Sequence, residues 1–223
     1  MTDRRQLTLD LAPRPDHARA AFFASTSNAV ALGMIDAWRD WPDARLWLTG
    51  PAGSGKTHLA HVWAKDADAA IVDAPELSED LVPVLADYPG IAVERVEALP
   101  PDRESALFHL YNLCAAEARP LLLTSRLPAS RIGFTLPDLA SRAASVTAVA
   151  LGAPDETLLG AVMTKLFADR QVDVSRDAIA FLSLRIERSL AAAQEIVARL
   201  DAASLAARKP VTIPFIRHEL GLA

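Results

Sequence analysis

Arg45-Leu46-Trp47-Leu48-Thr49 runs without a break into Gly50-Pro51-Ala52-Gly53-Ser54-Gly55-Lys56-Thr57-His58. The first five residues read as a short apolar strand. The next eight satisfy the Walker A pattern G-x-x-x-x-G-K-[ST] without gaps. Gly50, Gly53 and Gly55 lack a Cβ, so backbone N–H groups there can close around phosphate oxygens. A helix predicted from Lys56 to about Ala64 aims its N-terminus at the same anion. Lys56 supplies charge to the β- and γ-phosphates, and Thr57 offers a hydroxyl to Mg²⁺. His58 closes the stretch and is grouped with Gly50–Thr57 as a cofactor-binding position; like His61 on the same helix, it can equally serve packing. Strand, loop and helix in this order predict a nucleoside di- or triphosphate site.

Working outward, Ala29, Leu32, Ile35, Ala37 and Trp38 recur at helical spacing within 28–41. Apolar runs at 69–72, 90–96, 120–124 and 144–151 read as further strands, with a helix predicted over 102–118. Strands alternating with helices predict a five-stranded parallel sheet covered on both faces, an α/β fold. After Gly152 the pattern changes. Pro154, Asp155 and Glu156 have the chemistry of a helix start. Helical periodicity continues over 157–169, 175–184, 189–207 and 213–220, with at most a short strand at 210–213. The chain therefore divides into a tail at 1–21, an α/β nucleotide-binding domain at 22–152 and an all-helical domain at 153–223.

Hydrolysis at such a loop calls for a carboxylate that holds hydrated Mg²⁺, and usually for a second that orients the attacking water. Both belong at the end of an apolar strand. The candidate is Ile91-Ala92-Val93-Glu94-Arg95. Glu94 takes the metal role, as a degenerate Walker B residue. Arg95 stands where the second carboxylate belongs, and a guanidinium is no base at neutral pH. Weak or absent intrinsic hydrolysis is the expectation.

Composition narrows the function classes. The chain has 223 residues, 51% of them hydrophobic, a net charge of −5 and one cysteine. That excludes a polycationic nucleic-acid coat, a largely disordered chain and a disulfide or Cys-based zinc scaffold. No run approaches the roughly 20 apolar residues of a membrane span, and the N-terminus lacks a signal-peptide apolar core. A cytoplasmic protein is expected. Cys114 sits among apolar residues and is expected to be buried and inert. Trp38, Trp41, Trp47 and Trp63 read as core. The five histidines, 17, 58, 61, 109 and 218, form no zinc pattern, and Glu76–Asp80 reads as a solvated helix start.

GPAGSGKTHL, the Glu94–Arg95 strand end, FHLYNLC at 108–114, LLLTSRLPAS at 121–130 and LPDLASR at 136–142 occur in the order seen in DnaA-type AAA+ ATPases. The chain most resembles their short regulatory relatives, the Hda family of regulatory inactivators of DnaA, over nearly its whole length. The resemblance implies an AAA+ core, a helical lid and a nucleotide between them. It implies a γ-phosphate sensor at the end of a strand, at Thr124 or Ser125, and an arginine finger at Arg142 that reaches a neighbour's nucleotide, with Arg126 and Arg131 as alternatives. The lid's usual sensor arginine falls on Ala191, with Arg188 one turn earlier as a substitute. That departure fits a protein that simply holds a nucleotide, ADP or ATP, with ADP favoured. The adenine is expected against Phe22 and Phe23, which core packing explains equally well. The chain ends after the lid, without the helix-turn-helix domain of DnaA, so contact with DNA is expected to be indirect.

Gln6-Leu7-Thr8-Leu9-Asp10-Leu11 resembles the bacterial sliding-clamp-binding motif Q-L-x-L-x-L. Gln6 offers an amide donor and acceptor, while Leu7, Leu9 and Leu11 share one face of an extended peptide. Pro13 and Pro15 make a stiff spacer. The resulting expectation is a negative regulator of replication initiation. It would bind the β subunit of the DNA polymerase clamp and stimulate ATP hydrolysis by the DnaA initiator, with self-association left open. A helicase-loader-type ATPase and a small-molecule P-loop kinase are the alternatives.

Overall fold

A computed structural model describes residues 23–221. The tail with Gln6, Leu7, Leu9 and Leu11, and also Phe22, lies outside the described residues. Five strands, β1 (Arg45–Thr49), β2 (Ala70–Asp73), β3 (Ile91–Glu94), β4 (Leu121–Ser125) and β5 (Ala148–Ala150), form one parallel sheet in the order β2-β3-β4-β1-β5. All five β4 residues and the first three of β3 are buried, so these strands read as continuous apolar runs, as two-face-covered parallel strands do.

The strand period of two sorts side chains between two apolar layers. Leu46 and Leu48 join Ala92 and Leu122 beneath α1 (Ala29–Asp36) and α2 (Lys56–Ala67). Trp47 points the other way, with Ile91, Val93, Leu121 and Leu123, into the layer under α3 (Val82–Leu85), α4 (Glu104–Ala116) and α5 (Pro137–Ser145). Trp47 is fully buried, and its indole donates to Ser125 Oγ at 2.7 Å. Trp41 stacks on Trp63 at 5.4 Å between centroids. Cys114 is buried as expected, and burial pushes its thiol up to about 12.

Helix α5 departs from the strand expected at 144–151. The helix runs through Ser145, and the strand occupies only 148–150. Only Leu139 and Ala143 of its nine residues are buried, too few for an apolar stripe to register. No strand forms at 210–213, where Thr212 instead caps the last helix.

The loop before α5 hangs on Glu104, a carboxylate only 5% exposed. It accepts from Thr135 N at 2.9 Å, Thr135 Oγ1 at 2.9 Å and Leu136 N at 2.7 Å. Glu104→Ala removes the shared acceptor of two part-buried backbone amides and a hydroxyl and is expected to destabilise the fold by about 2 kcal/mol. Urea unfolding checks this, with the midpoint lowered at constant slope.

Beyond the sheet, α6 (Glu156–Asp169), α7 (Arg176–Ser183), α8 (Leu190–Ala207) and α9 (Ile213–Leu220) pack around Met163, Phe167, Leu182, Val197, Leu200 and Ile216. Asp155, Ser175, Ser189 and Thr212 each accept the N–H three residues on, so every one of these helices starts on a side-chain cap.

Candidate nucleotide site

The carboxyl ends of β1, β3 and β4 lie at one edge of the sheet, with β1 between β4 and β5, the edge at which open α/β sheets bind ligands. The loop from β1 turns through Gly53 (φ 68°) and Gly55 (φ 103°), a region that costs other residues dearly. Gly55 is also the N-cap of α2, so the amides that open α2 face the loop's hollow. Lys56 Nζ donates to Gly50 O at 2.8 Å and Pro51 O at 2.7 Å, which holds the ammonium over the loop. Burial lowers its pKa, and the neighbouring Arg126 lowers it further, while Glu97 and Glu94 act the other way. The Ser54 hydroxyl is buried without a hydrogen-bond partner. Pro51, Ala52 and Thr57 are exposed, and His58 is half-buried on the first turn of α2.

Two strand ends face this loop. Glu94 closes β3, with its Oε1 buried and unpartnered. Arg95 follows in a left-handed conformation (φ 56°) and clamps Asp73 at the end of β2, through Nε to Oδ1 at 2.7 Å and a second bond from its terminal nitrogen to Oδ2. The residue that replaces the second carboxylate thus joins two strand ends. Of the two sensor candidates, Ser125 is engaged, accepting from Trp47 and donating to Leu127 O. Thr124 accepts from Arg95 N at 3.3 Å, which leaves its own O–H to donate.

The helical unit reaches the loop directly. Leu190 N–H donates to Gly53 O at 2.8 Å, and Ser189 abuts Gly53. Arg188 precedes the N-cap of α8, so it does not share a helical face with Ala191; its guanidinium lies 3.6 Å from Glu156 Oε1. Phe23 is half-buried, and its carbonyl accepts from the Asn28 side-chain amide at 2.8 Å. Gly152 N–H donates to Ser27 O at 3.0 Å and Thr26 Oγ1 to Asp155 Oδ2 at 3.2 Å, which stitches 23–28 between the sheet and α6. The backbone N–H of Leu158, which Asp155 caps, holds that carboxyl below its ordinary value.

Arg142 lies within α5, not after a helix, and is exposed. Its guanidinium stands 5.4 Å from the Phe108 centroid and 5.7 Å from that of Tyr111, on the face of the sheet opposite α2. Arg126 pairs with Glu97 at 3.5 Å, and Arg131 is exposed on a single turn at 129–131. Sequence reasoning passed over Glu97, whose only signal was its spacing of three from Glu94.

The donor set fits a nucleotide: loop amides, a lysine and an unsatisfied buried hydroxyl for the phosphates. Among the described residues no three His, Cys, Asp or Glu side chains cluster into a metal site. Thr57 and Glu94 would instead hold a hydrated Mg²⁺, which would supply positive charge against the phosphates. Among the described residues no helix is long and apolar enough to cross a membrane.

Residues 160–220 match the family model "Hda, lid domain". The fold is similar to that of domain III of the replication initiation protein DnaA from Thermotoga maritima (TM-score 0.79, 17% identity, 93% of this chain and 97% of that one). It is also similar to AMPPCP-bound DnaA from Aquifex aeolicus (TM-score 0.69, 13% identity, 83% and 65%). The Holliday junction branch migration motor RuvB of T. maritima is a further likeness (TM-score 0.63, 15% identity, 80% and 61%). The chain therefore has the fold of DnaA domain III, and its residues 160–220 match the lid domain of Hda.

Proposed function

We propose that this chain is a DnaA-related regulator of replication initiation that holds an adenine nucleotide, ADP in its working form, and stimulates ATP hydrolysis on a DnaA-type initiator. The observation that carries the reading is an Hda-type lid hydrogen-bonded to a complete phosphate loop through Leu190 and Gly53. Gly50 to Thr57 hold the phosphates, Thr57 and Glu94 the hydrated Mg²⁺, and Thr124 monitors the γ-phosphate position. Phe23 and Phe22 flank the base. Arg188, tied to Glu156, can swing to the phosphates only by giving up that pair. Arg142 is the finger offered in trans, with Phe108 and Tyr111 as the platform beneath it. The peptide from Gln6 to Leu11 delivers the chain to the DNA-loaded clamp, so a protein of net charge −5 reaches DNA without touching it.

The test is reconstitution: DnaA loaded with ATP, the clamp on DNA, and this chain with ADP and Mg²⁺. Turnover that requires all of them is the expected result; equal turnover without the initiator would favour an ATPase acting alone. A Gln6→Ala, Leu7→Ala variant is expected to lose clamp binding in a pull-down while nucleotide affinity survives. Unchanged clamp binding would sink the role given to the peptide.

A further inference from the structure

With Arg95 bound to Asp73, the site lacks its usual water-orienting group. We propose that Glu97 fills that role, so that the chain slowly converts its own bound ATP to ADP. This rests on the nucleotide site proposed above and explains how the ADP form would arise.

Glu97 sits in the single turn Val96–Ala98 that follows β3. Fully buried Val96 anchors this turn, which is closed by Ala98 N to Arg95 O at 2.7 Å and Leu99 N to Val96 O at 3.1 Å. The Glu97 side chain is 17% exposed. Its Oε1 faces Arg126 Nε at 3.5 Å, while its Oε2 is buried with no partner. Such an oxygen is costly unless a ligand supplies the missing donor. Arg126 directly follows β4, two residues after Thr124, so the carboxylate is oriented from the strand end that carries the sensor candidate. Of the charges around Lys56, Glu97 does most to hold its proton on.

Glu94 has an orphaned oxygen too, and the two carboxylates divide the work. Glu94 would hold the hydrated Mg²⁺, and Glu97, through its unpartnered Oε2, accepts a hydrogen bond from a free water. That water's oxygen attacks the γ-phosphorus and its proton passes to Glu97. The bond from the γ-phosphorus to the bridging oxygen breaks, its electron pair stays on ADP, and inorganic phosphate leaves. Glu97 then returns the proton to solvent.

The experiment loads the full chain with one equivalent of ATP and Mg²⁺. It follows the identity of the retained nucleotide over time and measures ATP and ADP affinities by calorimetry. Wild type is expected to convert ATP to ADP. Glu97→Gln is expected to slow conversion by about 10²-fold or more and to retain ATP, with both affinities within about threefold of wild type. Glu97→Asp should restore part of the rate. Wild-type speed in Glu97→Gln, or a wild-type chain that keeps its ATP intact, would overturn the assignment and leave the role of Arg142 standing. Failure to bind either nucleotide would remove the site itself and both readings with it.

Discussion

Arg142→Ala is expected to cut the hydrolysis this chain stimulates on a DnaA-type initiator by about 10³–10⁵-fold, the usual worth of an arginine supplied in trans. The guanidinium would meet charge spread over the γ-phosphoryl oxygens, and it does so as a planar fork that lysine cannot copy. Arg142→Lys should therefore fail to rescue. The fold should hardly notice the change. Arg142 is exposed, and its aromatic contacts, worth about 0.5–1 kcal/mol at such a site, are the main loss. The chain's own nucleotide affinity is the internal control, because α5 lies on the face of the sheet opposite α2. Turnover of initiator-bound ATP, with the clamp present, is the measurement. Retained stimulation would move the finger elsewhere, with exposed Arg131 the next candidate, since Arg126 is engaged with Glu97.

The parts of this molecule that could be read from sequence are those whose physics is local. The phosphate loop is a contiguous run of glycines, a lysine and a threonine, and its flanking strand and helix carry their own patterns. The central strands β1, β3 and β4 were legible because parallel strands buried on both faces are simply apolar. Helix α5 was not, since Leu139 and Ala143 alone anchor it. Non-local chemistry stayed hidden. That Arg95 clamps Asp73 depends on β2 lying beside β3 in register, Asp73 opposite Glu94. That Glu97 lies by the loop depends on the turn after β3 and on Arg126 across the sheet. Arg188 was expected to share a helical face with Ala191, but Ser189 caps α8 and leaves Arg188 outside the helix. A capping serine followed by leucine and alanines was a signal that could have shown this.

Gly53→Ala is expected to have the largest effect on the link between loop and lid. At φ 68° a side chain costs about 1–2 kcal/mol. The added Cβ would lie 1.9 Å from Ser189 Oγ and 2.8 Å from Ser189 Cβ, so the start of α8 must shift. Such overpacking costs about 1–3 kcal/mol, and losing the Leu190 N–H bond to Gly53 O adds about 1 kcal/mol more. Together these amount to about 3–6 kcal/mol, enough to undock the lid before the sheet unfolds. Hydrogen exchange at Leu190–Ala193 should rise sharply while β3 and β4 stay protected, and nucleotide affinity should fall with it. Ser189→Gly supplies the partner for a double-mutant cycle. It removes both clashing atoms and, as an N-cap change to glycine, costs only a few tenths of a kcal/mol. The double variant should regain about 1–3 kcal/mol of the steric cost and keep the backbone strain. Strict additivity would mean the two residues do not meet. A coupling of the expected size would show that loop and lid meet at this contact, where the Gly53 carbonyl accepts from Leu190 N–H at 2.8 Å.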